Sequence, residues 1–231
     1  MANLHISTLP PCPGRILVIG DVHGCVEELE TLIEAFSPGE NDRIIAVGDL
    51  INRGPDSRAT LELARERKIV SVLGNHEQRL LQAWKAGNPD LLKSKDLATF
   101  NALQEADWQW IENWPHVIRI PSRNLLITHG GFAPGIPWQE QDPGMVTWIQ
   151  VLDNKGVPRK RSDAPNGKPW ANQWTGPEHV IYGHTPRPHP LRHPLATGLD
   201  TGCVYGYELT GLSLPDWDFY RAHARRRYVD D

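Results

Sequence analysis

The chain has 231 residues, 39% of them hydrophobic and 23% charged, with a formal net charge of −4. That length suits one domain over residues 1–231 with room for a substantial core. The charge balance excludes a general electrostatic pull toward nucleic acid or an anionic membrane. Cys12, Cys25 and Cys203 form no CxxC pair, which argues against a secreted disulfide scaffold and for a reducing compartment. Residues 1–14 lack a basic start followed by an apolar core, and no apolar run approaches the ~20 residues that span a bilayer. The expectation is a cytoplasmic protein with no membrane partner. The run Arg225-Arg226-Arg227 reads as a solvated helix end.

The first third alternates strand and helix. Arg15-Ile16-Leu17-Val18-Ile19 is a short apolar run of the kind found in buried parallel strands. After Gly20-Asp21, the spacing of Val26, Leu29, Ile33 and Phe36 predicts a helix with one apolar face. The pattern repeats with a strand at 43–47, a turn at Gly48-Asp49 and a helix over 56–67. It repeats again with a strand at 69–73, a turn at Gly74-Asn75-His76 and a helix over 77–86. Such a βαβαβ run predicts a parallel sheet. Residues 96–114 have helical spacing and stop at Pro115, and strands follow at 117–120 and 125–128. Residues 131–177 are rich in Pro, Gly, Trp and charge and read as a long, partly structured loop over a site. Strands return at 180–182, near Leu199 and over 204–212.

Polar residues fall at telling places relative to these strands. Asp21 and His23 sit in Gly20-Asp21-Val22-His23-Gly24, and Asp49 in Gly48-Asp49-Leu50-Ile51-Asn52-Arg53-Gly54. Asn75 and His76 follow Gly74, His129 precedes Gly130-Gly131, and His184 follows Gly183. In an α/β sheet the carboxyl ends of strands line one crevice, so five such turns aim Asp, His and Asn into one place. Each alone reads as a turn, a helix cap or a satisfied polar residue. Together they read as a metal site, and mixed oxygen and nitrogen donors suit Mn²⁺, Fe²⁺/Fe³⁺ or Zn²⁺ better than Ca²⁺. Two dications against Asp21 and Asp49 leave a positive centre suited to a phosphate, beside which Arg53 adds a fork-shaped donor.

These residues resemble the phosphoprotein-phosphatase superfamily of metallophosphoesterases. Its signatures GDxHG, GDxxxRG, GNH, HGG and GH appear in order at 20–24, 48–54, 74–76, 129–131 and 183–184. The resemblance implies a calcineurin-like α/β fold, a central β-sandwich flanked by helices on both sides, in a single metallophosphoesterase domain. It implies one divalent metal held by Asp21, His23 and Asp49, and a second held by Asp49, Asn75, His129 and His184. Manganese stands first among the metals, with iron, zinc, cobalt or magnesium as alternatives. A bridging hydroxide would be the nucleophile, His76 the proton donor to the leaving oxygen, and Arg53 the phosphate holder, with Asn75 beside it.

Three further stretches, at 52–57, 167–171 and 199–206, resemble the ApaH-like branch, which includes symmetrical bis(5′-nucleosyl)-tetraphosphatases. The implied partner is a nucleotide polyphosphate or similar phosphorylated small molecule. A phosphoprotein is the alternative, and an inactive phosphate-binding scaffold the remote one. Two departures stand out. Asn52 occupies the place where protein Ser/Thr phosphatases carry the Asp that orients and charges the acid His; an amide can hydrogen-bond His76 but adds no charge. The superfamily also usually places a further phosphate-binding Arg between the HGG and GH signatures. None occurs around Thr147-Trp148-Ile149-Gln150, which leaves Arg159 and Arg161 as candidates. Trp138, Trp148, Trp170 and Trp174 read as packing residues of the long loop, with base stacking as the alternative. Asp200 reads equally as a turn residue or a catalytic one.

Overall fold

The structure, a computed structural model, describes residues 3–229. Strand β1 (Ile6–Thr8) precedes β2 (Ile16–Ile19), α1 (Val26–Phe36), β3 (Arg43–Ala46), α2 (Ser57–Glu66), β4 (Val70–Ser71) and α3 (Asn75–Lys85). Two short helices follow, α4 (Ser94–Ala102) and α5 (Glu105–Glu112), then β5 (Val117–Ile120) and β6 (Leu125–Thr128). The strands that follow, with short 3₁₀ turns among them, are β7 (Val151–Leu152), β8 (Pro158–Arg159), β9 (Lys168–Pro169), β10 (His179–Tyr182), β11 (Leu191–His193), β12 (Ala196–Gly198), β13 (Glu208–Leu214) and β14 (Phe219–His223).

Two sheets form the centre, one of six strands ordered β1-β5-β6-β10-β12-β11 and one of five ordered β14-β13-β2-β3-β4. Strands β2, β3 and β4 run parallel, as their alternation with helices predicts. The unbroken apolar run of β2 has a simple cause: both of its faces are covered. Ile16 and Val18 point into a cluster with Ile118, Ile127 and Ile181 of the facing sheet. Leu17 and Ile19 point the other way, against Leu29, Leu32 and Phe36 of α1. The five α-helices cover that second face, while the outer face of the six-stranded sheet is covered by 3₁₀ turns at Trp138–Glu140, Met145–Thr147 and Trp170–Asn172.

The helix expected over 96–114 is two helices. Leu103 and Gln104 are extended, and the Asp107 carboxylate takes the Gln104 N–H at 2.8 Å, capping a fresh start. The segment read as a loop over 131–177 holds a small three-stranded sheet, β8-β7-β9. Trp138, Trp170 and Trp174 are buried within its core around Phe132 and Tyr182. Over 204–212 the chain first makes a 3₁₀ turn, Cys203–Tyr205, and only then enters β13. The Arg225-Arg226-Arg227 run lies in irregular chain after β14, not on a helix. No helix among the described residues is long and apolar enough to cross a membrane.

One clamp ties the starts of β2 and β3. The Asp42 carboxylate accepts the Arg15 backbone N–H at 2.6 Å, both Nε and Nη2 of the Arg15 side chain, and the Gly39 N–H. The Arg15 guanidinium also lies 4.2 Å from the Phe36 ring centroid. Burial opposes the charge on Asp42, but the Gly39 N–H and Arg15 hold its carboxyl below the usual carboxylate range. A group depressed on folding stabilises above its unfolded pKa and loses that contribution as pH falls through its folded value. D42N should therefore melt below the wild type at pH 7, and thermal scans should see the gap close below about pH 4. A gap independent of pH would show that the carboxylate charge is irrelevant.

Candidate metal centre

The turns that follow β2, β3, β6 and β10 are bonded to one another. The Asp49 carbonyl accepts the N–H groups of Val22 and His23, and the His129 carbonyl accepts that of Gly183. Both Asp21 carboxylate oxygens lie within reach of the His184 N–H, at 3.2 and 3.1 Å. Close approach leaves no room for side chains on two glycines: a Cβ on Gly74 would strike Asp49, and one on Gly183 would strike Asp21. The functional residues themselves carry the unusual backbone. His23, Asp49, Asn52, Arg53 and His184 all have φ between 50° and 76°, a region that costs a non-glycine residue about 1–3 kcal/mol.

The six expected ligands converge. Asp21, His23, Asp49, Asn75 and His184 line one cavity of about 390 Å³, and His129, fully buried, lies against Asp49 and Asn75. Asp49 is shared by two groups of candidate ligands, one with His23 and His76, the other with His129 and His184. Its Oδ2 lies 3.5 Å from His23 Nε2 and 3.3 Å from His129 Nε2, while its Oδ1 accepts the His76 N–H at 3.0 Å.

The hydrogen bonds behind the imidazoles say what this set needs. His23 Nδ1, His129 Nδ1 and His184 Nε2 each face a backbone carbonyl, of Ile51, Val47 and Trp148, at 3.2, 2.8 and 3.0 Å. A carbonyl only accepts, so each of those nitrogens carries the ring proton, and in a neutral ring the other nitrogen is a lone pair. The lone pairs then face Asp49 and the Asn75 side-chain oxygen, 3.0 Å from His129 Nε2. Acceptors facing acceptors repel one another unless cations lie between them, and backbone carbonyls behind ligating imidazoles are the usual outer support of a metal site. The residues fit divalent metals.

Without a cation between them, the acidic groups draw a proton onto one of these rings instead. Burial pushes His23 down to about 4 and His184 down to about 3. Burial opposes the His129 imidazolium too, yet Asp49 beside it, with Asp21 and Glu77, pushes it up to about 10. Burial raises Asp21, with Asp200 adding to the rise, whereas Asp49 is held low against burial by His129, His76 and His23.

Around His76 the structure supplies, one residue further out, the carboxylate that the Asn52 position lacks. Asn52 Oδ1 accepts the Arg53 backbone N–H at 2.9 Å, which orients the amide. Asn52 Nδ2 consequently donates to Asp96 Oδ1 at 2.7 Å and faces His76 Nδ1 at 2.9 Å. Nδ1 is thereby the acceptor, and the ring proton of neutral His76 belongs on Nε2. Asp96 is buried and pairs with Arg79, whose Nη2 lies 3.3 Å from the same His76 nitrogen. Burial first, and then the charges of His23, Arg53 and Arg79, hold His76 well below the usual histidine range. Asp96 carries no sequence signal, since it reaches this network from another helix, whereas Arg79 stands one turn after His76 on α3.

Arg53 hydrogen-bonds the Tyr205 hydroxyl, and its guanidinium lies 5.5 Å from the Tyr205 ring centroid. Gln150, where a phosphate-binding Arg is absent, donates to the His184 carbonyl and accepts the Arg161 N–H. Arg161 lines the cavity, whereas Arg159 is outside its lining and pairs with Asp153 at 3.3 Å. Asp200 lines the cavity and also closes a turn by accepting the Gly202 N–H; burial pushes it up to about 6.

A family model for calcineurin-like phosphoesterases matches residues 14–188. The chain belongs to this family. The phosphoesterase is 28% identical to an asymmetrical bis(5′-nucleosyl)-tetraphosphatase, PrpE, of Oceanobacillus iheyensis, over 93% of this chain and 94% of that one. It is 30% identical to a PrpE of the same description from Halalkalibacterium halodurans, over 93% and 96%. It is also 30% identical to serine/threonine-protein phosphatase 1 of Salmonella typhimurium, over 85% and 90%. Among solved structures, a candidate diadenosine tetraphosphatase superposes with a TM-score of 0.86 at 34% identity, covering 96% of this chain and 98% of that one. Family, relatives and ligand grouping make the chain a metal-dependent hydrolase.

Glu77, which sequence reasoning reads only as a helix start, braces two ligand turns at once. Its fully buried carboxylate accepts the N–H groups of Asp49, Ile51 and Gly74 at 3.0, 3.1 and 3.1 Å. Burial, then Asp49, pushes Glu77 up to about 8, while the N–H donors favour its charged form. In E77Q the amide NH₂ faces a donor; the loss should be about 1–3 kcal/mol of stability, with weaker Mn²⁺ binding. Urea unfolding and calorimetric Mn²⁺ titration measure both, and an E77Q protein matching the wild type in each would rule the brace out.

Proposed function

We propose that this phosphoesterase hydrolyses dinucleoside polyphosphates such as diadenosine tetraphosphate at a pair of divalent cations. The observation that carries the reading is the Asp49 carboxylate shared between two groups of imidazole lone pairs. Asp21, His23 and Asp49 would hold one cation, and Asp49, Asn75, His129 and His184 the other. Mixed donors favour manganese, with iron, zinc, cobalt or magnesium as alternatives. Such a pair supplies an acidified water and the positive charge that neutralises a phosphoryl group in displacement.

The chain's own residues do the rest. Arg53, steadied by Tyr205, offers two parallel donors to non-bridging phosphate oxygens. His76 presents its Nε2 proton to the cavity, its Nδ1 being occupied by Asn52. Arg161 adds charge at the cavity edge. An amide behind His76 adds no charge to hold a second ring proton, so less of the ring is in its acid form than beside a carboxylate, which matters little when the leaving group is a phosphate of low basicity. The free thiols Cys12, Cys25 and Cys203 suit the cytoplasm.

The Salmonella relative keeps a protein phosphatase reading alive. Side-by-side phosphate release with Mn²⁺ separates the two: diadenosine tetraphosphate should turn over with a far larger kcat/KM than a phosphoserine peptide. The reverse order would transfer the assignment. The products decide where the chain is cut, ATP and AMP for asymmetrical hydrolysis or two ADP for symmetrical.

N52D alone would set a second carboxylate 2.7 Å from Asp96. The exchange N52D/D96N keeps one carboxylate and one amide and moves the charge next to His76. It should raise phosphopeptide turnover relative to the dinucleotide by about tenfold. A ratio left in place by the exchange would remove Asn52 from the account of specificity.

A further inference from the structure

We propose that Lys93 and Lys95 form a subsite for the phosphate chain of the leaving group, on the His76 side of the cavity. The inference rests on the hydrolase reading above and extends it to how a polyphosphate is told from a simple phosphate ester.

Both lysines line the same cavity as the metal ligands. Both are exposed, and neither makes an ion pair among the described residues. Their segment is pinned to the proton donor by short links. The Lys93 N–H bonds Asp96 Oδ2 at 3.3 Å, Asp96 pairs with Arg79 at 2.9 Å, and Arg79 reaches His76 Nδ1 at 3.3 Å. Lys93 is the N-cap of α4, so helix packing as well as this network sets where the pair projects. Lys160 and Arg161 line the cavity too, but they enter after β8 beside Gln150 and His184. The cavity thus carries cations on two flanks, and only the Arg79-Lys93-Lys95 flank adjoins the residue that serves the leaving oxygen.

The charges are more than a phosphate ester needs. A monoester dianion is matched by the metal pair and Arg53 alone. A leaving group made of further phosphates brings about one more negative charge per phosphate and spreads it away from the metals. In a protein of net charge −4, cations gathered on one cavity flank make a local field that the whole molecule does not have. Exposed lysines act as point charges, so the subsite should read chain length and charge, not the base or sugar.

Inorganic tripolyphosphate and orthophosphate probe this without a nucleotide. Each is tested as an inhibitor of aryl phosphate hydrolysis by the Mn²⁺-loaded enzyme at fixed free Mn²⁺. Wild type should bind tripolyphosphate the more tightly. K93A/K95A should weaken tripolyphosphate about tenfold and orthophosphate by less than about twofold, an effect that shrinks as salt is added. K155A, a surface lysine outside the cavity lining, controls for overall charge and should shift neither. Equal shifts for both inhibitors, or none for either in K93A/K95A, would overturn the subsite. The KM for diadenosine tetraphosphate should rise with the tripolyphosphate constant. If wild type fails to hydrolyse that dinucleotide while the inhibitor shift stands, the proposed substrate falls and the subsite survives.

Discussion

The Asp49 carboxylate is the point on which the site turns. It lies in the turn after a strand of the five-stranded sheet, while His129 and His184 lie in turns after strands of the six-stranded one. Its Oδ2 faces imidazoles from both. A ligand set split in this way forms only when the two sheets pack face to face, so the isoleucine and valine core between them is part of the metal site's construction. Buried like charge and opposed lone pairs are unfavourable in the protein alone. The fold holds them together because packing over many apolar side chains far outweighs the local repulsion, and a cation then gains from every one of them.

The backbone tells the same story. Five functional residues sit in left-handed conformations, so the turns are bent to serve their side chains. Two features keep them bent: glycines that let Asp21 and Asp49 approach, and the Glu77 carboxylate, which takes three N–H groups from the turns. Charge is layered outward from there. Carboxylates and imidazoles lie innermost, Arg53 and Arg79 next, and free lysines at the mouth. An anion entering the cavity meets positive charge first, while the negative groups are those aimed at the metals.

Much of the centre was legible because its chemistry is local. Asp21-Val22-His23, Asp49 and Gly74-Asn75-His76 each follow an apolar run directly, and the position of a polar residue after a strand survives whatever the rest of the chain does. Asp96 was not legible, since it reads as an ordinary residue of a helix until α4 folds beside α3 and Asn52 reaches it. Tyr205 and Arg53 lie 152 positions apart. The tryptophans of residues 131–177 gave no periodicity because short 3₁₀ turns have none to give, although Trp170 is as buried as any core residue. The helix over 96–114 broke where one capping hydrogen bond outweighed a continuous apolar pattern.

What the sequence by itself determined is the order of the strand-end Asp, His and Asn residues and the parallel run of β2, β3 and β4, because strand periodicity and strand-end chemistry act over a few residues. Tertiary structure alone decided which atoms face each other. It set Asp49 between imidazoles from the two sheets, the tautomer of His76 through Asn52, and the link from Lys93 through Asp96 and Arg79 to His76. Those depend on distances between segments far apart in the chain, and such distances exist only once the sheets and helices have settled into one packing.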